Sequence, residues 1–219
     1  MNDNQKKKEQ EELKGLSGTL YTVMHDVSVI LALITICFVF FARLVGVNGS
    51  SMYPTLVGEN LSAGAKGDYL VLESNVIHPN YERGDIVVAC VPSFDSGKPI
   101  VKRVVAVGGE TVELRKDESD PSGETICVYV DGQKLDEPYI REPMRETPIA
   151  GAGFKLTVPE DCYFLMGDNR NNSTDSRYSS VGAVDYRYIV GKALIVALPG
   201  QDAMEGNKRT WSRFGAVYE

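Results

Sequence analysis

Three stretches of this chain have residue types and spacing that can do chemistry. The first is Gly49-Ser50-Ser51-Met52-Tyr53-Pro54-Thr55-Leu56, where a serine stands between a glycine turn and a rigid Met-x-Pro-Thr segment. The second is Lys102, set among Ile100, Val101, Val104 and Val105. The third runs from Gly167 to Arg177 and holds Asp168, Ser173, Asp175 and Arg177 in a turn-rich sequence. Singly, each has an ordinary structural reading: a Ser/Gly/Pro turn, a solvated lysine on an edge strand, an Asx-rich surface loop. Together they offer a hydroxyl nucleophile and an amine base.

A serine nucleophile needs a base, and the usual one is scarce. The chain has only two histidines, His25 beside the apolar run and His78 in an Ile-His-Pro-Asn loop. Few candidates are left for a Ser-His-Asp triad or a His-rich metal site. A lysine can serve if it is neutral. At an ordinary pKa near 10.4, well under about 0.1% of lysines are neutral at pH 7. The amine must therefore be pushed down roughly 3 units, at a cost on the order of 4 kcal/mol of lost ammonium solvation. An apolar strand with no facing carboxylate supplies that environment. Side chains alternate along a strand, so Lys102 and Arg103 point to opposite faces, and one of them faces inward or into a groove.

The elements that must position these residues are legible in outline. Residues 1–23 are a polar tail with Lys6, Lys7, Lys8 and Lys14. Residues 24–46 read as a transmembrane helix around the uncharged run Val27–Ala42, with Arg43 snorkelling at its end. Lysines precede this run with no comparable cluster just after it. The amino terminus is thus expected in the cytoplasm and residues 47–219 outside, in a cell membrane protein of one span. Beyond Leu56 come short β-branched runs: Asp68–Glu73, Asp85–Val91, Ile100–Val107, Glu110–Leu114, Ile126–Val130, Cys162–Met166 and Tyr188–Val196. Gly108-Gly109 and Asp131-Gly132 read as hairpin turns, and Lys116–Gly123 and Glu137–Gly153 as surface excursions. The expected fold is mainly β, an antiparallel β-sheet catalytic domain over one core, preceded by one transmembrane α-helix.

Composition excludes several classes. A net charge of -7 leaves no basic stripe for nucleic acid. Cys37, Cys90, Cys127 and Cys162 match no zinc spacing, and at most one disulfide can form among the last three. Neither a metal nor a cofactor is called for.

With these residues in order, the chain resembles the bacterial type I signal peptidases, membrane-anchored Ser/Lys proteases. The resemblance is carried by Ser51-Met-Tyr-Pro-Thr-Leu56, Gly84-Asp-Ile-Val-Val88, Val101-Lys-Arg-Val-Val-Ala-Val-Gly108 and Gly167 through Arg177, with Arg209–Gly215 similar to the family's closing segment. It implies Ser51 as nucleophile and Lys102 as general base. Ser173 would orient the lysine amine, Asp175 and Arg177 would pair to hold the last loop, and Asp168 would pair with Arg103. Some members carry a serine where this chain has Gly49, and its hydroxyl helps stabilise the oxyanion. Here the Ser51 backbone N–H is expected to serve, with a neighbouring N–H or the Ser50 hydroxyl as second donor.

The implied substrates are exported preproteins bearing signal peptides, with small residues one and three positions before the cut. Such a segment would add as a strand, with Val47, Met52, Leu56, Ile100 and Val101 as candidate pocket walls. The lipid bilayer is the other implied partner, and Trp211 is placed to dip into it or to pack. Two other readings compete. The self-cleaving SOS repressors share the Ser/Lys pair but are soluble and bind DNA, against which the apolar run and acidic balance count. A non-catalytic signal-peptidase-like assembly factor for surface polymers would be expected to lack Ser51 or Lys102, and both are present.

Overall fold

The computed structural model describes residues 3–40, 42–75, 80–145 and 151–217, so His78 lies outside the described residues. The chain forms two compact units, Met1–Phe41 and Ala42–Glu219.

The first unit is helix α1, Asp3–Phe40. Within it Gly18–Ile36, 19 residues of mean hydropathy 1.7, has none of its surface buried in protein. At about 1.5 Å rise per residue this stretch is close to the roughly 30 Å of a bilayer's hydrocarbon, so α1 is long and apolar enough to span a membrane. Leu20, Ile30, Leu31 and Leu33 are all exposed. The sequence reading ran the helix on to residue 46, but Ala42–Gly46 is a strand, β1, in the second unit. It pairs with β2, Tyr69–Ser74, from Ala42 opposite Glu73 to Gly46 opposite Tyr69. Ladder hydrogen bonds to a neighbouring strand outweigh the apolar continuity that suggested more helix.

The second unit is antiparallel β throughout its named strands. After β2 come β3 (Ile86–Cys90), β4 (Pro99–Val107), β5 (Thr111–Lys116), β6 (Thr125–Val130), β7 (Gln133–Lys134) and β8 (Met144–Arg145). They are followed by β9 (Lys155–Thr157), β10 (Cys162–Met166), β11 (Val184–Asp185), β12 (Ile189–Leu198), β13 (Gln201–Asp202), β14 (Lys208–Arg209) and β15 (Gly215–Ala216). The large sheet has the order β1-β2-β12-β3-β4-β10-β11, with β15 on β12. The smaller one has the order β7-β6-β5-β9, with β8 on β6, and β13 and β14 pair by themselves.

Two turn readings part ways here. Asp131-Gly132 is a two-residue hairpin, with φ of 50° and 80° and Val130 facing Gln133. Gly108-Gly109 is not a hairpin. The Glu110 N–H does close a turn onto Val107 O, but β4 and β5 belong to different sheets, and the turn passes the chain between them.

The core is also divided where one was expected. One cluster joins Val47, Met52, Leu56, Leu70, Leu72, Ile86 and Val88 on one face of the large sheet. A second, with Val87, Ala89, Val104 and Leu165, covers the other face, and a third lies between the smaller sheet and Phe164 and Met166. Consecutive residues Ile86 to Ala89 are all buried because β3 is covered on both sides. Strands β3 and β4 are therefore a rigid, dry platform. None of Cys90, Cys127 and Cys162 is in a disulfide.

Candidate active site

The nucleophile segment is pinned at both ends and from below. Val47 N–H bonds Asp68 O, and Glu59 N–H bonds Val47 O, both at 2.8 Å. Between them Tyr53 N–H closes a turn onto Ser50 O at 3.1 Å and Leu56 N–H bonds Met52 O at 2.9 Å. Met52 and Leu56 are 1% and 0% exposed, so their burial drives the segment onto the sheet and leaves Ser51 half-buried at the top. Buried Asp68 accepts from Val57 N at 2.8 Å, Gly200 N at 2.6 Å and Arg213 Nη2 at 2.8 Å, tying the far end of the segment to the carboxyl-terminal region. Gly49 has φ +72°, a left-handed conformation that side chains rarely adopt. That backbone suits the glycine at this position.

Lys102 stands on β4 opposite Val87 of β3 and is 3% exposed. Its Nζ lies 2.7 Å from Ser51 Oγ and also donates to Val101 O at 2.9 Å. Burial pushes the amine down to about 8. Asp175 and then Asp168 pull the other way, and Arg177 adds to the lowering. The expected apolar environment is thus only half the picture, because carboxylates are close, each held by an arginine.

Arg103, one residue on, donates to Asp168 from Nε at 2.8 Å and Nη2 at 2.6 Å, and to Gly84 O at 2.8 Å. Thr55 Oγ1 donates to the same carboxylate at 2.5 Å. Arg177 makes a second two-point pair with Asp175, at 2.8 and 2.9 Å, and reaches Arg170 O at 2.8 Å. Asp175 also accepts the Gly167 N–H at 3.0 Å. The loop so ordered grips the nucleophile: Asn169 N–H bonds Ser51 O and Asn169 Nδ2 bonds Ser50 O, both at 3.0 Å. Asn172 Nδ2 donates to Ser50 Oγ at 2.8 Å.

Ser173, expected to orient the lysine, makes no hydrogen bond to its amine in this structure. Its hydroxyl is buried and has no hydrogen-bond partner among the described residues, while the Lys102 amine is held by Val101 O instead. What lies between is Gly167: a Cβ there would come within 2.3 Å of Ser173 Oγ and 2.4 Å of Ser51 O. Gly167→Ala is accordingly expected to push the Ser51 backbone off Lys102. Any reaction that uses the Ser51–Lys102 contact should slow by about 100-fold, read as turnover of the variant beside wild type, since a displacement of 1 Å costs about that much.

The five candidate pocket residues are divided by the structure. Val47, Met52, Leu56 and Val101 are buried members of one core cluster, and Ile100 packs against the cluster on the opposite face. Their apolar character supports the segment from beneath and leaves little of them to line a groove. One cavity, about 670 Å³, is bordered by Pro54, Thr55, Arg103, Tyr139, Arg213 and Phe214, and neither Ser51 nor Lys102 lines it. β3 pairs with Pro99–Arg103 of β4, whereas β10 pairs only from Arg103 onward, so one edge of Pro99–Lys102 carries no strand among the described residues.

Sequence reasoning missed Glu137, Tyr139 and Arg170. The stretch Glu137–Gly153 was expected to be a surface excursion, yet Glu137 makes a two-point pair with fully buried Arg170 at 2.8 and 2.6 Å. The Tyr139 ring covers the Arg103 guanidinium at 3.9 Å. No local pattern marks these partners, which come from distant parts of the chain.

The chain matches the family model described as "Signal peptidase, peptidase S26" over residues 20–198. It is 32% identical to a signal peptidase I of Bacillus amyloliquefaciens, covering 92% of this chain and 97% of that protein. With signal peptidase I T of Bacillus subtilis (strain 168) it shares 35% identity over 79% of this chain and 81% of the relative. A solved signal peptidase I from Enterococcus faecalis V583 aligns at 32% identity and a TM-score of 0.40, covering 52% of this chain and 96% of its own. Matched along most of its length, this chain belongs to the signal peptidase family, peptidase S26, as a bacterial type I signal peptidase.

Proposed function

We propose that this chain is a membrane-anchored endopeptidase that removes signal peptides from exported preproteins at the outer face of the membrane, with Ser51 as nucleophile and Lys102 as general base. The observation that carries the reading is the buried Lys102 amine at 2.7 Å from Ser51 Oγ. In its neutral form the amine accepts the Ser51 proton as Oγ attacks the scissile carbonyl. The ammonium then protonates the leaving amine, and the same lysine activates the water that releases the acyl group.

The Ser51 N–H makes no hydrogen bond among the described residues, which leaves it available to the developing oxyanion. The Ser50 hydroxyl accepts from Asn172 and keeps its own proton to donate, so it suits the second position. An extended substrate strand would add along the unpaired edge of Pro99–Lys102 and be led to the base. The helix window Gly18–Ile36 supports anchoring in the lipid bilayer, and Lys6, Lys7, Lys8 and Lys14 before it support a cytoplasmic amino terminus. A tethered enzyme meets a substrate's membrane-embedded apolar segment at high effective concentration.

Ser51→Ala tests the reading. Cleavage of a preprotein by the full chain in detergent is expected to fall by about 10⁴-fold or more, as losses of catalytic serines do. Full activity in that variant would sink it.

A further inference from the structure

We infer that Glu137 and Tyr139 are positioning residues, a clamp from the smaller sheet's side that fixes the distance between the Ser51 loop and Lys102. The inference rests on the Ser/Lys reading above.

The clamp acts on two arginines, one belonging to each half of the site. Arg103 follows Lys102 on β4, and its guanidinium lies beneath the Tyr139 ring at 3.9 Å. Arg170 belongs to the loop that grips the nucleophile, and the same ring stands 5.9 Å from its guanidinium. Glu137 accepts both terminal nitrogens of Arg170 and also the Tyr139 hydroxyl, the last at 3.1 Å. Tyr139 thus touches the strand bearing the base directly and the nucleophile loop through Glu137.

From Arg170 the line to Ser51 is short. Arg170 Nε donates to Gly167 O at 3.1 Å, and Gly167 lies too close to Ser51 O to admit a Cβ. Asn169, the residue before Arg170, bonds Ser51 O through its backbone. On the other side Arg103 binds Asp168 at two points, so both guanidiniums hold adjacent residues at the start of the same loop. An aliphatic side chain would fill the volume of Tyr139. It would offer neither a π-face to one guanidinium nor a hydroxyl to the carboxylate that holds the other. Every group in the chain of contacts is at least partly buried, and Arg170 has a side-chain exposure of 0%. A charge so enclosed keeps one geometry as long as its partner is present.

The test uses the full chain in detergent and preprotein cleavage, with kcat and KM separated. Glu137→Gln and Tyr139→Leu are each expected to lower kcat about ten-fold or more with KM within about two-fold, since misplacement penalises the chemical step. Tyr139→Phe keeps the ring over Arg103 but loses the bond to Glu137, and its kcat is expected to fall between wild type and Tyr139→Leu. Wild-type kcat in Glu137→Gln, a loss confined to KM, or a Tyr139→Phe as impaired as Tyr139→Leu would overturn the inference. If Tyr139→Leu fails to fold, Glu137→Gln decides by the same criteria. Ser51→Ala is assayed alongside: activity there fells the Ser/Lys reading and the clamp with it. An inactive Ser51→Ala beside a normal Glu137→Gln fells the clamp alone.

Discussion

Lys102→Met at pH 7 is expected to lower kcat by about 10³–10⁴-fold and, at the same time, to make the protein more stable. On the Ser/Lys reading the activity loss follows from removing the amine that lies against Ser51 Oγ, since a positioned general base contributes about 10²–10⁴ and a serine is a poor nucleophile without one. In the wild type the pKa of about 8 leaves roughly one lysine in ten neutral at pH 7, against about one in three thousand at the ordinary 10.5. The profile of kcat/KM should therefore rise with pH along a limb centred near 8 and level off above it. A limb near 10 would contradict the desolvated-base argument.

The stability gain comes from the same burial. The folded lysine sits at about 8 and the unfolded one at 10.5, so between those values the unfolded chain holds a proton that the folded chain has lost. Stability consequently rises with pH across that window, and the whole penalty, about 3 kcal/mol, is present below pH 8. Methionine has a similar length and no charge, so it removes the penalty. Denaturant unfolding of the two proteins should differ most at pH 7 and converge towards pH 10.5. A variant less stable at pH 7 would show that the lysine's contacts outweigh its lost hydration.

Asp175→Ala is the second large effect, and it is structural. The Asp175 and Arg177 side chains are 0% and 1% exposed. Removing the carboxylate leaves a buried guanidinium with the Arg170 and Ser173 carbonyls and the weak acceptor Met144 Sδ, and strips the Gly167 N–H of its acceptor. Breaking a buried pair in this way costs about 3–5 kcal/mol, a large part of the 5–15 kcal/mol that holds a typical domain together. The expected result is a much lower denaturation midpoint and loss of cleavage together. The contrast is Asp185→Ala, which breaks the pair with Arg187, itself 68% exposed, and should leave both nearly unchanged. Equal effects of the two would refute the burial argument.

Much of the second unit could be read locally because its strands are β-branched runs with turn formers between them. Cys162–Met166 was placed to the residue, and Ile86–Cys90 within one at each end. Where reading failed, partners far away in the chain had intervened. Ala42–Gly46 continues an apolar run and becomes a strand only because β2 is beside it. Gly108-Gly109 has hairpin composition, yet the end of β4 pairs with β10, Val107 opposite Tyr163, while β5 joins β6 and β9 in the smaller sheet. Glu137 and Tyr139 look like loop residues until Arg170 and Arg103 are brought beneath them.

By itself the sequence determined which groups are worth bringing together. A serine in a Ser/Gly/Pro turn, a lysine in an apolar strand and alternation that sends Arg103 to the opposite face are properties of a few adjacent residues, set by backbone geometry and side-chain hydration. That Ser51 and Lys102 act together and that the charges of the last loop pair came from the resemblance to the type I signal peptidases. The tertiary structure decided the distances and the counter-charges. It set Lys102 at 2.7 Å from Ser51, left Ser173 without the bond expected of it, and made Gly167 the contact between loop and nucleophile. Those outcomes depend on which sheet faces which and on how buried charges are shared among residues distant in sequence. Packing enforces that arrangement only once the whole unit has closed.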